Sequence, residues 1–345
     1  MPLFGESNVA KYALMIGLVV MASIFSNSFK KFMGRDDDDE HELIRKYLLN
    51  DSPLYGYNRP KLWIHTSYDY NSRVWKSFGS RSSCDLNQPY IHLTVRTIIN
   101  HCGKDFNICL IDDDSFGRLL PAWTVDVRNV PEPQRRTYRL WAMLELLHTY
   151  GGMVVPNSFV CVENLYSLYK EAMTRDRPFF LEKRNSTSSN SRSNFIPDTS
   201  FMGSPKRDPG LRELRDYVKS ICPRVDEDFV GSVAQWCAQR VDNNQMSLLD
   251  GAYVGAKTLE GRAITLDDLM QNKELDVYPD MFFGVVAPAE QLLARPRYSW
   301  FSVLPAEEVL QSTCVLARLI LRGILDEKDQ QSSSVQSIED AVIAI

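Results

Sequence analysis

Three short apolar runs, each separated from the next by a helix-length amphipathic stretch, constrain this chain more than any other feature. Lys61-Leu62-Trp63-Ile64-His65, just after Pro60, reads as a buried strand, as do Phe106 to Ile111 and Met153-Val154-Val155. Between the first two, Pro89 to His101 carries apolar residues at 91, 93, 95, 98 and 99 and ends at Cys102-Gly103. Between the second and third, Arg135 to Tyr150 carries Leu140, Met143, Leu144 and Leu147 and closes on Gly151-Gly152. Apolar residues three and four apart share one face of a helix, whereas a short unbroken apolar run fits a strand covered on both sides. Parallel neighbours need a crossover between them, and a helix is the usual one. The expected fold class is therefore α/β, a mostly parallel sheet flanked by helices. Ligands of such sheets gather at the carboxyl ends of the strands. Beyond 155 the pattern predicts helices over 211–221, 228–241 and 309–325 and a polar loop over 184–194.

Composition removes several classes of function. At 44 % apolar and 24 % charged residues the chain is not mainly disordered. Its 39 Lys and Arg stand against 44 Asp and Glu, a net charge of −5, and five of those acids form one run, Asp36 to Glu40. No basic excess exists of the kind that displaces counterions from phosphate, so nucleic acid is not an expected partner. Seven cysteines make no CxxC pair and no ligand-spaced cluster, which predicts free buried thiols and a reducing compartment. There is no P-loop, GxGxxG, GxSxG or HExxH.

The N-terminus points to a membrane. Tyr12 to Phe29 is an uncharged stretch of eighteen residues, followed by Lys30, Lys31 and Arg35. As a helix it would span about 27 Å, close to the roughly 30 Å hydrocarbon core. A cleaved signal peptide would need a basic leader, yet only Lys11 precedes the run and Glu6 opposes it. A buried or surface helix is the other alternative. The expectation is a single transmembrane helix at 12–29, with the bilayer as partner and the main domain on the cytoplasmic side, where Lys and Arg are in excess. The organisation that follows is an N-terminal segment 1–11, the anchor 12–29, a basic then acidic linker with a short helix over 30–58, a folded domain 59–325 and a polar tail 326–345. The triplet Asn185-Ser186-Thr187 is the one feature that favours a lumen instead.

The sharpest chemical feature is Asp112-Asp113-Asp114, directly after the second strand. Three carboxylates at a strand's carboxyl end could hold Mg²⁺ or Mn²⁺ and, through it, a diphosphate. Equally, Asp and Ser in such a turn cap the next helix, here Ser115 to Leu120. His65, at the end of the first strand, reads as a packed or hydrogen-bonded histidine before it reads as a base. Gly151 and Gly152 suggest a helix end and tight turn first, and close approach to a ligand second. Arg73, Ser80, Arg81, Ser82 and Ser83 could clamp an anion or form a solvated loop.

Several of these segments together resemble the glycosyltransferase family with a DXD sugar-binding region, which includes yeast initiating mannosyltransferases and bacterial capsular sugar transferases. The similar segments are Pro60 to His65, Ile108 to Asp114, Leu146 to Ser158, Phe201-Met202-Gly203-Ser204-Pro205 and Val277 to Phe283. They lie within roughly residues 59–300, and the Tyr150-Gly151-Gly152 junction carries most of the likeness. The resemblance implies a GT-A-like nucleotide-diphospho-sugar fold and a substrate site that includes His65, Gly151, Gly152 and Asn157. It also implies a metal held by two aspartates, but the matching positions are Pro156 and Ser158, which supply no carboxylate. An Asp and an Arg of the preceding helix would fall on Leu140 and Met143. In the stretches Ser80 to Tyr90, Cys109 to Phe116 and Tyr150 to Phe159 the chain also resembles proteins of large double-stranded DNA viruses that assemble around an internal membrane.

Two functions follow. The first is a membrane-anchored, GT-A-like protein with no metal or other cofactor. Its role is structural or in assembly, with capsid or membrane proteins as partners in a virion. The alternative is an active transferase that uses a nucleotide sugar with Mn²⁺ or Mg²⁺ held by Asp112, Asp113 or Asp114.

Overall fold

The computed structural model describes residues 59–66, 88–120, 122–131, 134–186, 194–224, 228–277 and 281–325. The expected anchor 12–29, the linker 30–58, the Arg73–Asp85 segment, Cys84 and the tail 326–345 lie outside the described residues. Among the described residues, no helix is long and apolar enough to cross a membrane.

The expected alternation is present. Strand β1 (Lys61–His65) passes through α1 (Tyr90–Cys102) to β2 (Asn107–Ile111), and the two strands pair in parallel, Lys61 opposite Asn107 and His65 opposite Ile111. The chain then runs through α2 (Ser115–Leu119) and α3 (Gln134–Tyr150) to β3 (Gly152–Val154), which joins β1 in parallel on its other side. Strand β4 (Phe159–Cys161) leaves this sheet and pairs antiparallel with β8 (Gly284–Val286). After α4 (Tyr166–Met173), β5 (Phe179–Arg184) and β6 (Phe195–Ser204) form an antiparallel pair, with β6 antiparallel to β3 as well. Helices α5 (Pro209–Ile221) and α6 (Phe229–Asp242) precede β7 (Ser247–Leu249), which runs parallel to β5. The order is β2-β1-β3-β6-β5-β7, with three of the five pairings parallel. Of the expected polar loop 184–194, Arg184 ends β5 and residues 187–193 lie outside the described residues.

One face of the sheet presents Trp63, Cys109, Ile111, Val154, Phe180 and Met202 to the apolar sides of α3, α5 and α6. Side chains alternate along a strand, so Leu62, Ile64, Ile108 and Leu110, all buried, belong to the opposite face. The starts of α5 and α6 follow capping chemistry. The Asp208 carboxylate accepts from Leu211 N at 2.8 Å with Pro209 in the first turn of α5, and Asp228 accepts from Gly231 N at the start of α6.

Two differences from the sequence reading have local causes. The single helix expected over 309–325 is two, Ala306–Gln311 and 315–325, because the backbone at Ser312 turns extended. Between β5 and β6 the register jumps from Phe180–Met202 to Leu181–Asp198, so residues 199–201 bulge out of the ladder.

Candidate functional site

Strand β1 leads to β2 on one side, while the chain leaving β3 continues to the other. The point where connections diverge lies between the carboxyl ends of β1 and β3, where an open α/β sheet leaves a crevice. His65 and Thr66 arrive there from β1, Asp112 to Asp114 from β2, and Pro156, Asn157 and Ser158 from β3. Val155 N donates to Trp63 O at 3.0 Å, and the Thr94 hydroxyl of α1 donates to Asn157 O at 2.5 Å, so the segment after β3 is held on two sides.

The three aspartates do not converge. Asp112 Oδ1 accepts from Ser115 N at 2.9 Å and from Ser115 Oγ at 2.6 Å, while Asp112 N donates back to Ser115 Oγ at 3.2 Å. These bonds close a local turn just before α2, whose N-cap position is Asp114 and carries no side-chain cap hydrogen bond. Asp112→Ala is expected to lower stability by about 1 kcal/mol, checked by urea denaturation, because it removes the hydrogen bonds that close this turn. Asp114 faces solvent and meets Arg128, with Nε 3.0 Å from Oδ1 and a second guanidinium nitrogen 3.1 Å from Oδ2.

Asp113 turns inward, with its side chain 10 % exposed. His65 Nε2 lies 2.9 Å from its Oδ1, and Arg139 of α3 grips both oxygens, Nε to Oδ1 at 2.9 Å and a terminal nitrogen to Oδ2 at 2.7 Å. Burial by itself would raise the Asp113 carboxyl. The hydrogen bonds from His65 and Arg139, and their charges, outweigh it and hold the group well below the usual carboxylate range. The His65 ring stacks on Phe116, centroids 5.6 Å apart and planes 3° apart, which fixes its orientation. His65 is thus hydrogen-bonded and packed. Arg139 was not among the candidate residues, and its only sequence signal is a cation on the apolar-faced helix one position before Leu140.

Gly151 and Gly152 stand at the opposite end of β3 from Asn157. Gly151 has φ +70° and closes α3, its N donating to Leu147 O at 2.7 Å. Gly152 has φ +105°, and a Cβ there would sit 2.2 Å from Lys61 O. Both glycines therefore serve the helix end and the β1–β3 pairing. Met143 is in the core and Leu140 packs against it.

A cleft of about 530 Å³ opens beside Pro156, Asn157 and Ser158. Its other wall includes Glu182 and Lys183 of β5, Asp198 of β6 and Ser200 of the bulge. Asp198, 5 % exposed, accepts from Lys183 Nζ at 3.0 Å and from Ser200 N and Oγ at 3.0 and 2.8 Å. Glu182 accepts from Lys257 Nζ at 2.6 Å and Gly251 N at 3.0 Å, and Glu290 pairs with Arg136 at 3.1 Å. Each of these three carboxylates thus meets a cation of the same chain. These pairs join residues from distant elements, and no sequence spacing marked them.

No family model, curated protein or solved structure matches this chain. The residues at the carboxyl edge do not fit the divalent metal that the DXD resemblance implies. Pro156 has no side-chain donor, Ser158 is a buried hydroxyl, and Asp113 is held by a guanidinium. No group of three metal-ligating side chains occurs among the described residues.

Proposed function

We propose that this chain is a membrane-tethered protein with a GT-A-like scaffold that does not perform metal-dependent sugar transfer and serves instead as an assembly module, docking capsid or membrane proteins within a virion. The observation that carries the reading is that, among the described residues, each carboxylate at the carboxyl edge and in the cleft already has a partner within the chain. Asp112 is closed into a turn, Asp113 is gripped by Arg139 and His65, Asp114 meets Arg128, and Glu182, Asp198 and Glu290 each meet a cation. A sugar leaving a diphosphate develops negative charge that a cation or oriented donors must meet in the transition state. To bind Mn²⁺ at Asp113 or Asp198, the acid would first have to give up an internal partner, and a freed buried charge is costly.

The test is calorimetric titration of the full-length protein in detergent with a panel of nucleotide sugars, with and without Mn²⁺. The expected result is no Mn²⁺-dependent binding and no release of nucleoside diphosphate on prolonged incubation with candidate glycans. Micromolar binding that appears only with Mn²⁺ would overturn the proposal. If Asp112→Asn or Asp114→Asn then removed that binding, the active transferase with a relocated metal would take its place.

A further inference from the structure

We propose that Cys102 and Cys161 form a latent disulfide pair, a modification site that fastens α1 to β4 when the folded protein meets a peroxide-class oxidant. The two sulfurs lie 3.9 Å apart across 59 residues of sequence. Both side chains are fully buried. Each is the last residue of its element, α1 and β4.

The elements are held at this spacing by contacts that do not involve sulfur. Cys161 N donates to Thr97 Oγ1 at 2.9 Å, and Thr97 Oγ1 donates to Thr94 O at 2.7 Å. Residues 315–325 lie flush over the same seam, since a Cβ at Gly323 would come within 2.4 Å of Cys161 O and 2.9 Å of Thr97 Cγ2. The backbone therefore holds the sulfurs near each other, and a bond of about 2.05 Å must draw them closer than 3.9 Å.

Closed, the pair is protected. Burial, and after it the neighbouring Cys102, push the Cys161 thiol well above its ordinary value, and its S–H donates to Glu163 O at 3.1 Å. Reaction requires opening, and the final turn of α1, which ends at Cys102-Gly103, is where a helix frays. The Cys102 thiolate then attacks one oxygen of hydrogen peroxide. The O–O bond breaks, and the released hydroxide takes up the thiol's proton and leaves as water. The sulfenic acid so formed is attacked by Cys161 sulfur, the S–O bond breaks, and the hydroxide leaving group takes the Cys161 proton as a second water. The sum is two thiols and one peroxide giving one disulfide and two waters.

The bond would also bear on the cleft. Ile91 of α1 lines it, as do Asn157 and Ser158, which lead directly into β4. Joining α1 to β4 ties two of its walls together and removes freedom chiefly from the unfolded chain.

The experiment exposes the full-length, folded protein to stepwise hydrogen peroxide, quenches it in acid, alkylates remaining thiols under denaturing conditions and maps peptides without reduction. The expected result is a cross-linked peptide joining Cys102 to Cys161, lighter than its two parents by two hydrogens and split by dithiothreitol. It should form at a rate that levels off as peroxide rises, because opening limits it. The oxidised protein should unfold at a higher urea concentration than the reduced one. Recovery of both cysteines as alkylated thiols after other methionines and thiols have oxidised overturns the proposal, as does recovery of either cysteine as a sulfinic acid or bonded elsewhere. The wild-type map decides the matter without a variant.

Discussion

Arg139→Ala is expected to destabilise the protein by about 3 kcal/mol at neutral pH, because it leaves the inward-turned carboxylate of Asp113 without its bidentate cation. Arg139 supplies two of the three hydrogen bonds to that carboxylate, and His65 alone remains. Arg139→Lys should fall between, since an ammonium delivers charge but not the paired fork. The effect carries a pH signature. The folded-state pKa of Asp113 is depressed, so its contribution to stability is full above the unfolded carboxyl's value of about 4 and is lost as pH falls through and below it. The gap between wild type and Arg139→Ala, read from urea midpoints, should therefore be widest at neutral pH and narrow steadily in acid. A gap that is constant with pH would show that Arg139 acts through packing alone.

That triad also marks the limit of what the sequence disclosed. His65 and Asp113 are 48 residues apart, and Arg139 lies 26 residues beyond Asp113. Nothing local in the chain says which of three adjacent aspartates turns inward. Asp112 was legible because its partner, Ser115, is three residues away and the turn is closed within one stretch of backbone. The same contrast runs through the fold. β1, β2, α1 and α3 are visible as unbroken apolar runs or helical periodicity. β7 and β8 are three residues each, too short for any period to register. β6 contains Pro197 and Asp198 and a bulge, so its alternation fails at the point where it borders the cleft. The apolar period over 309–325 continues across the break at Ser312, because residues that pack on one core can be spaced alike in two helices. Periodicity reports burial, and the break is a matter of backbone torsion.

Gly152→Ala is expected to abolish folding, with a loss of at least about 3 kcal/mol and little soluble protein recovered. Two costs add. The backbone sits at φ +105°, a conformation L side chains rarely adopt, and the new methyl would meet Lys61 O at 2.2 Å and Lys61 C at 3.0 Å. Those atoms cannot yield. Lys61 belongs to β1, which is paired with β2 on one side and β3 on the other, so displacing it opens the middle of the sheet. Gly151→Ala should be milder, about 1–2 kcal/mol, because φ +70° is tolerated at a helix end and the nearest atom, Lys206 N, is 3.0 Å away on the surface side of the turn. Circular dichroism and urea unfolding of the two variants separate the reasons a glycine pair can stand at a helix-to-strand junction. If Gly152 were there to let a nucleotide approach, its alanine variant would fold normally and lose only binding. Loss of the fold, graded Gly152 above Gly151, instead assigns the pair to the helix end and to the closeness of β1 and β3.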